Sequence, residues 1–186
     1  MSNTPKMLLV RLISTIVLIY YKLLLGARLE LGKGVITNHK LKISGPGRVI
    51  IADEANLWAF CEPNNLQTFS SDAEIRIGKK TRLNGATIQA RQLISIGDDC
   101  LLGSTQLLDN DFHHLDPSRR RDKSEIPTRP IYIADNVWLA GQSAVLKGVT
   151  VGKGSVVGFR AVVTKDVPEG VVVAGNPAIV VKNLNQ

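Results

Sequence analysis

Residues 131–168 read IYIADNVWLAGQSAVLKGVTVGKGSVVGFRAVVTKDVP, and an aliphatic residue returns there at every sixth position: Ile133, Leu139, Val145, Val151, Val157 and Val163. Four residues after each stands a small or β-branched side chain (Val137, Ser143, Val149, Ser155, Ala161, Val167), and Gly152 and Gly158 directly follow their rungs. A period of six matches neither the 3.6 of a helix nor the 2 of an ordinary strand. It matches a solenoid that turns a corner every six residues, with aliphatic side chains filling the interior and small residues at the corners.

Upstream, the ladder runs back through Leu108, Leu102 and Ile96. It then slips by one residue, which predicts a bulge near Gln89 to Leu93, and resumes through Leu83, Ile77, Leu57 and Ile51. Three hexads close one coil, so the chain has room for about seven coils before loops are subtracted. Its 186 residues suit a single domain, and 44% hydrophobic but only 5% aromatic content suits thin aliphatic layers. The domain reading is an N-terminal amphipathic helix over 1–30 and an all-β solenoid over 31–182. Residues 114–130 (HLDPSRRRDKSEIPTRP) interrupt it with charged residues and three prolines, which predicts a projecting loop. Cys61 and Cys100 each fall four residues after a rung, so they read as small core side chains of a protein from the reducing cytoplasm.

Charge is unevenly placed. Residues 1–50 hold eight cations (Lys6, Arg11, Lys22, Arg28, Lys33, Lys40, Lys42, Arg48) against Glu30 alone, whereas the rest of the chain is balanced. With no helix-turn-helix, zinc or aromatic stacking motif beside the charge, nucleic acid is excluded and an anionic membrane surface is the expected contact. Residues 7–25 (MLLVRLISTIVLIYYKLLL) are almost continuously apolar. In a helix, Arg11, Ser14, Thr15, Leu18 and Lys22 would form a narrow, mostly polar stripe beside a broad apolar face, the pattern of a helix lying in the headgroup region. Leu25-Gly26-Ala27-Arg28 has no small-x-small cleavage signal, which argues against removal as a signal peptide.

Just before the interruption stands Asp109-Asn110-Asp111-Phe112-His113-His114. If the strand continues, Asp109, Asp111 and His113 share one face. A carboxylate beside an imidazole fixes its tautomer and stabilises the imidazolium formed when the ring takes a hydroxyl proton. Arg119, Arg120 and Arg121 in the loop read equally as a solvated charge run or as a contact for an anionic group. His39 reads as structural.

These residues resemble the hexapeptide-repeat acyltransferases, and within them the galactoside, maltose and surface-polysaccharide O-acetyltransferases. The resemblance covers residues 31–182. It is carried by Asp109-x-Asp111-Phe112-His113, Pro130-Ile131-x-Ile133-x-Asp135-x-Val137-Trp138-Leu139, the ladder, Val163-Thr164-Lys165-Asp166-Val167-Pro168 and Ala174-Gly175-Asn176-Pro177-Ala178. It implies a left-handed parallel β-helix assembled as a homotrimer, with acetyl-CoA as co-substrate and no metal. It maps the catalytic base to His113, with Asp109 or Asp111 orienting it. The CoA groove between subunits maps to Gly141 and Phe159 backbone and to Thr164, Lys165 and Lys182, flanked by Trp138. The acceptor pocket maps to Asn84 and His114. Phe159 stands where a small residue is usual, and Ala140 where glycine is commoner.

A γ-carbonic anhydrase is excluded because its three histidine ligands cannot be assembled from His39 and the pair His113-His114. The helical N-terminal domain of serine acetyltransferases is missing. N-acylation of an amino-sugar nucleotide and a non-catalytic scaffold remain as alternatives. The expected activity is O-acetylation of a sugar hydroxyl in bacterial surface polysaccharide or lipid-linked glycan synthesis, at the cytoplasmic face of the inner membrane.

Overall fold

The computed structural model describes residues 5–184. An α-helix, α1 (Pro5–Leu25), leads through a short 3-10 turn into the first coil, β1 (Leu29–Leu31), β2 (Ile36–Thr37) and β3 (Leu41–Ser44). The second coil is β4 (Arg48–Ile51), β5 (Asn56–Leu57) and β6 (Asn64–Thr68). The third is β7 (Glu74–Ile77), β8 (Arg82–Leu83) and β9 (Thr87–Ala90). The fourth is β10 (Leu93–Ile96), β11 (Leu101–Leu102) and β12 (Gln106–Leu108), and the fifth β13 (Ile131–Ile133), β14 (Trp138–Leu139) and β15 (Ala144–Leu146). The sixth, β16 (Thr150–Val151), β17 (Val156–Val157) and β18 (Val162–Val163), is followed by an antiparallel hairpin, β19 (Val171–Gly175) and β20 (Ala178–Asn183).

From β1 to β15 each strand pairs in parallel with the one three places on, and β17 pairs in parallel with β19, giving three sheets: β1-β4-β7-β10-β13-β16, β2-β5-β8-β11-β14-β17-β19 with β20 antiparallel at its end, and β3-β6-β9-β12-β15-β18. This is a three-sided parallel solenoid of six full coils. Val167 bridges Val151 and β19 joins the second sheet, so a seventh coil begins and stops. The rungs of residues 133–163 are 0–3% exposed, and the corner residues Val137, Ser143, Val149, Ser155, Ala161 and Val167 also point inward.

The first sheet passes to the second through corners tight enough to demand glycine. A Cβ on Gly78 would lie 2.3 Å from the carbonyl of Gly97 in the next coil, and one on Gly97 would lie 2.4 Å from Asp135 Oδ1. Side chains stitch the same corners together, Asp135 Oδ1 accepting from Asp98 N–H and Asp98 Oδ1 from Lys79 N–H.

Four expectations need correction. The slip near Gln89 to Leu93 is no strand bulge but a two-residue turn, Arg91–Gln92, between β9 and β10. The inward residue of β12 is Leu107 rather than Leu108, because the Gly103–Thr105 corner is one residue shorter than its neighbour Ala140–Ser143. The excursion begins at Asp109, where β12 has ended, so residues 108–113 do not form one strand; Phe112 adopts a left-handed backbone with φ 59°. Cys100 is buried as expected, but Cys61 is exposed on the excursion between β5 and β6.

Candidate active site

Corners of equivalent type stack into three edges along the solenoid, and all the candidate residues but Trp138 and Lys182 fall on two of them. The edge from the third sheet to the first carries Arg91–Gln92, the excursion 109–130, Lys147, and then Thr164 and Lys165. The edge from the second sheet to the third carries Asn84, Gly103, Gly141 and Phe159, with Trp138 outward on the adjoining strand β14.

On the first edge the excursion is tied down as a built structure. Asn110 and Thr128 form a β-bridge, Asp111 N–H donates to Pro127 O (3.2 Å) and Arg129 N–H to Asp109 O (2.9 Å). Asp116 caps the turn Pro117–Arg119 by accepting from Ser118 N–H (2.8 Å). Asp122 accepts from Ser124 Oγ and Ser124 N–H and pairs with Arg119; these contacts hold its carboxyl far below the ordinary carboxylate range. His114 is buried, with Nε2 against Ser124 O (2.5 Å), so it packs the loop rather than lining an acceptor pocket.

His113, in contrast, is exposed, and its Nδ1 lies 2.9 Å from the carbonyl oxygen of Arg120. A carbonyl can only accept, so this contact puts the ring proton on Nδ1 and leaves the Nε2 lone pair free to take a proton. Neither carboxylate performs that task. Asp109 is fully buried and accepts from the backbone N–H groups of Arg91 (2.7 Å), Gln92 (2.7 Å) and Leu93 (3.0 Å), fastening the corner below. Asp111 pairs with Lys147 Nζ at 2.5 Å. The expectation that Asp109 or Asp111 orients His113 is therefore corrected: Arg120 does so through its main chain. Nothing in the sequence signalled it, since any residue offers a carbonyl, and Lys147 was likewise missed.

On the second edge, the exposed ring of Phe159 lies over Gly141, where a Cβ would sit 3.6 Å from ring carbons, and the Arg160 guanidinium stands 5.1 Å from the ring centroid. Among the described residues the N–H groups of Gly141 and Phe159 have no acceptor. Asn84 lines a shallow cleft of about 170 Å³ with Arg82, Leu101, Leu102 and Gly103, and its Oδ1 accepts from Phe60 N–H (3.0 Å). Lys182 lies on β20, opposite Val172. In one chain a strand of the third sheet separates His113, Thr164 and Lys165 from Asn84, Gly141 and Phe159.

Cys100 is no nucleophile: burial raises its thiol pKa, and Sγ points at Ala134 O (3.1 Å). No cluster of three metal-ligating side chains occurs among the described residues.

No family model matches the chain. Over 118 residues it is 35% identical to the galactoside O-acetyltransferase of Escherichia coli, covering 63% of this chain and 58% of that enzyme, so it spans less than two thirds of the curated relative. Among solved structures it is similar to the polySia-specific acetyltransferase NeuO, with 26% identity, 83% of this chain and 82% of the other covered, and a TM-score of 0.59. A hexapeptide-repeat-containing acetyltransferase of Vibrio cholerae, solved with acetyl-coenzyme A, is 32% identical, with 69% of this chain and 72% of the other covered and a TM-score of 0.56. The repeat, the three parallel sheets and this likeness agree, and the chain belongs to the hexapeptide-repeat acetyltransferases.

Proposed function

We propose that this chain transfers an acetyl group from acetyl-CoA to a hydroxyl of a sugar in a bacterial surface polysaccharide or lipid-linked glycan. The observation that carries the reading is His113: exposed on a braced loop, proton held on Nδ1 by the Arg120 carbonyl, Nε2 free. As the acceptor oxygen attacks the thioester carbonyl, Nε2 takes the hydroxyl proton. The tetrahedral oxyanion is met by main-chain N–H groups, for which the unpaired donors of Gly141 and Phe159 are the candidates. Collapse breaks the C–S bond, the imidazolium returns its proton to the CoA thiolate, and an acetyl ester and free CoA leave.

The separation of the two edges supports a site built between copies of the chain. His113, Thr164 and Lys165 occupy one edge and Gly141 and Phe159 another, so a single chain does not present them together, whereas neighbouring copies in a ring can set one chain's first edge against the next chain's second. A homotrimer with left-handed coils and CoA between subunits is the arrangement we adopt, with Lys165 and Lys182 as cationic partners for CoA phosphates and Trp138 beside the groove. The coils, which begin at β1 (Leu29–Leu31), two residues before the boundary expected at 31, carry this chemistry, while α1 packs on the first coil and contributes no residue to it. Two free cysteines suit a reducing cytoplasm.

The test is thiol release from acetyl-CoA in the presence of a panel of glycan acceptors, comparing the unaltered chain with His113→Ala. Acceptor-dependent release that His113→Ala abolishes supports the proposal. Release that the variant leaves intact refutes the role of His113.

A further inference from the structure

Helix α1 has two faces, and only one is used by the fold. Val17, Leu18, Tyr21 and Leu25 pack on the core of the first coil. Polar side chains reach all three strands of that coil: Ser14 Oγ donates to Thr37 O and accepts from Thr37 N–H (both 2.9 Å), Tyr21 donates to Leu41 O (2.9 Å) and Lys22 to Leu29 O (2.5 Å). The helix thus lies across the open end of the solenoid and satisfies edge groups that would otherwise be free to pair with another strand. This corrects the single polar stripe expected from the sequence, because Ser14 and Leu18 face the coil.

The opposite face is a broad apolar patch, with Thr15 exposed at its border. Leu8, Leu12, Ile16, Ile19, Tyr20 and Leu23 are 54–82% exposed, all pointing away from the coils. Arg11 and Lys22 run along one border, and Lys33, Lys40 and Lys42 lie in the adjoining first coil. The only acidic residue before position 50, Glu30, is already paired with Arg48.

We infer that α1 is a monotopic anchor that lies flat in an anionic bilayer surface and stands the solenoid on end upon it. Length and hydropathy would also let the helix span, but spanning would tear Ser14, Tyr21 and Lys22 from the first coil and expose its edge. The cationic border favours anionic lipid over a second copy, whose identical border would be repelled. The corner bearing His113 lies three rungs above the first coil. At about 4.8 Å per rung and about 10 Å for the helix, it stands roughly 25 Å from the lipid surface. On the acyl-transfer reading above, the acetylated hydroxyl is then several sugars out from a lipid anchor.

The experiment is sedimentation of the full chain with phosphatidylglycerol/phosphatidylcholine vesicles. Binding is expected, weakened at least tenfold in pure phosphatidylcholine and in the double variant Leu12→Glu/Ile16→Glu, whose circular dichroism and acetyl-CoA titration should match the unaltered chain. Tryptophans placed singly at Leu9 and Leu23 should be quenched equally by the same shallow bromolipid. No vesicle binding, or a variant that binds as well as the original, overturns the inference. So does a double variant that only lowers oligomer mass, as a helix-to-helix contact between copies would require. Tryptophans at different depths would mean spanning and also overturn it. Because acetyl-CoA binding is read separately, loss of one result leaves the other standing.

Discussion

Replacing Asp109 by alanine should unfasten a corner, not disable a base. The carboxylate is fully buried and its two oxygens accept three backbone N–H groups, those of Arg91, Gln92 and Leu93. A donor left without a partner costs about 1–3 kcal/mol. Arg91 and Leu93 are half-buried and Gln92 is exposed, so water reaches part of the gap and the low end applies to each. The expected loss is about 3 kcal/mol, a large share of the roughly 5–15 kcal/mol by which domains are stable. Asp109→Asn keeps one carbonyl oxygen and should lose about half as much. Asp111→Ala removes only a partly exposed pair with Lys147 and should lose less than about 1 kcal/mol. Urea unfolding followed by circular dichroism at equal chain concentration reads all three. If Asp109→Ala unfolded with the unaltered chain while its turnover fell a hundredfold, Asp109 would be orienting His113 and the reasoning would be refuted.

His113→Ala should lower kcat by about 10²–10⁴ while leaving acetyl-CoA affinity within a few-fold, since in the proposed mechanism the ring moves a proton rather than holding the donor; single-turnover assays against calorimetry separate the two. If the site lies between copies as proposed, Lys165→Glu and Gly141→Pro chains should each fail to bind acetyl-CoA alone, and mixing them in equal amounts should restore about a quarter of the sites after subunit exchange, one interface in four then joining two intact edges; no recovery would mean that the site lies within one chain. A thiol reagent should modify Cys61 promptly and Cys100 only after unfolding, and Cys100→Ala should retain activity within about twofold. For Asp122 the folded pKa is depressed, so its stabilisation of the loop is present above the ordinary carboxylate pKa of about 3.9 and is lost only as pH falls through the folded value. Proteolysis between residues 114 and 130 should therefore not rise between pH 7 and pH 4.5, and Asp122→Ala should make the loop susceptible at neutral pH.

How much of this was legible in the sequence varied along the chain. Where each coil takes three hexads, as in residues 133–163, the same interior position recurs every six residues and is filled by an aliphatic side chain each time, so the pattern prints the register directly. At Gly103–Thr105 the corner shortens by one residue, and a slip of one in a period-two strand exchanges the faces. That exchange turned Leu107 and Asp109 inward together and made an outward acid into a buried cap. The loop was legible from its prolines and charges, and His113 as its candidate base. Its orienting partner was not, because a main-chain carbonyl carries no residue signature. The apolar run of 7–25 was equally plain, but which half of the helix faced the coil depended on Ser14 meeting the edge of β2.

The most direct test of the central claim is a calorimetric titration of the purified chain with acetyl-CoA, which requires no knowledge of the acceptor. The account predicts saturable binding at one site per chain, weakened about tenfold or more by Lys165→Ala, as expected when a cation facing a phosphate is removed. Absence of binding, or binding indifferent to Lys165 and to Gly141→Pro, would contradict it.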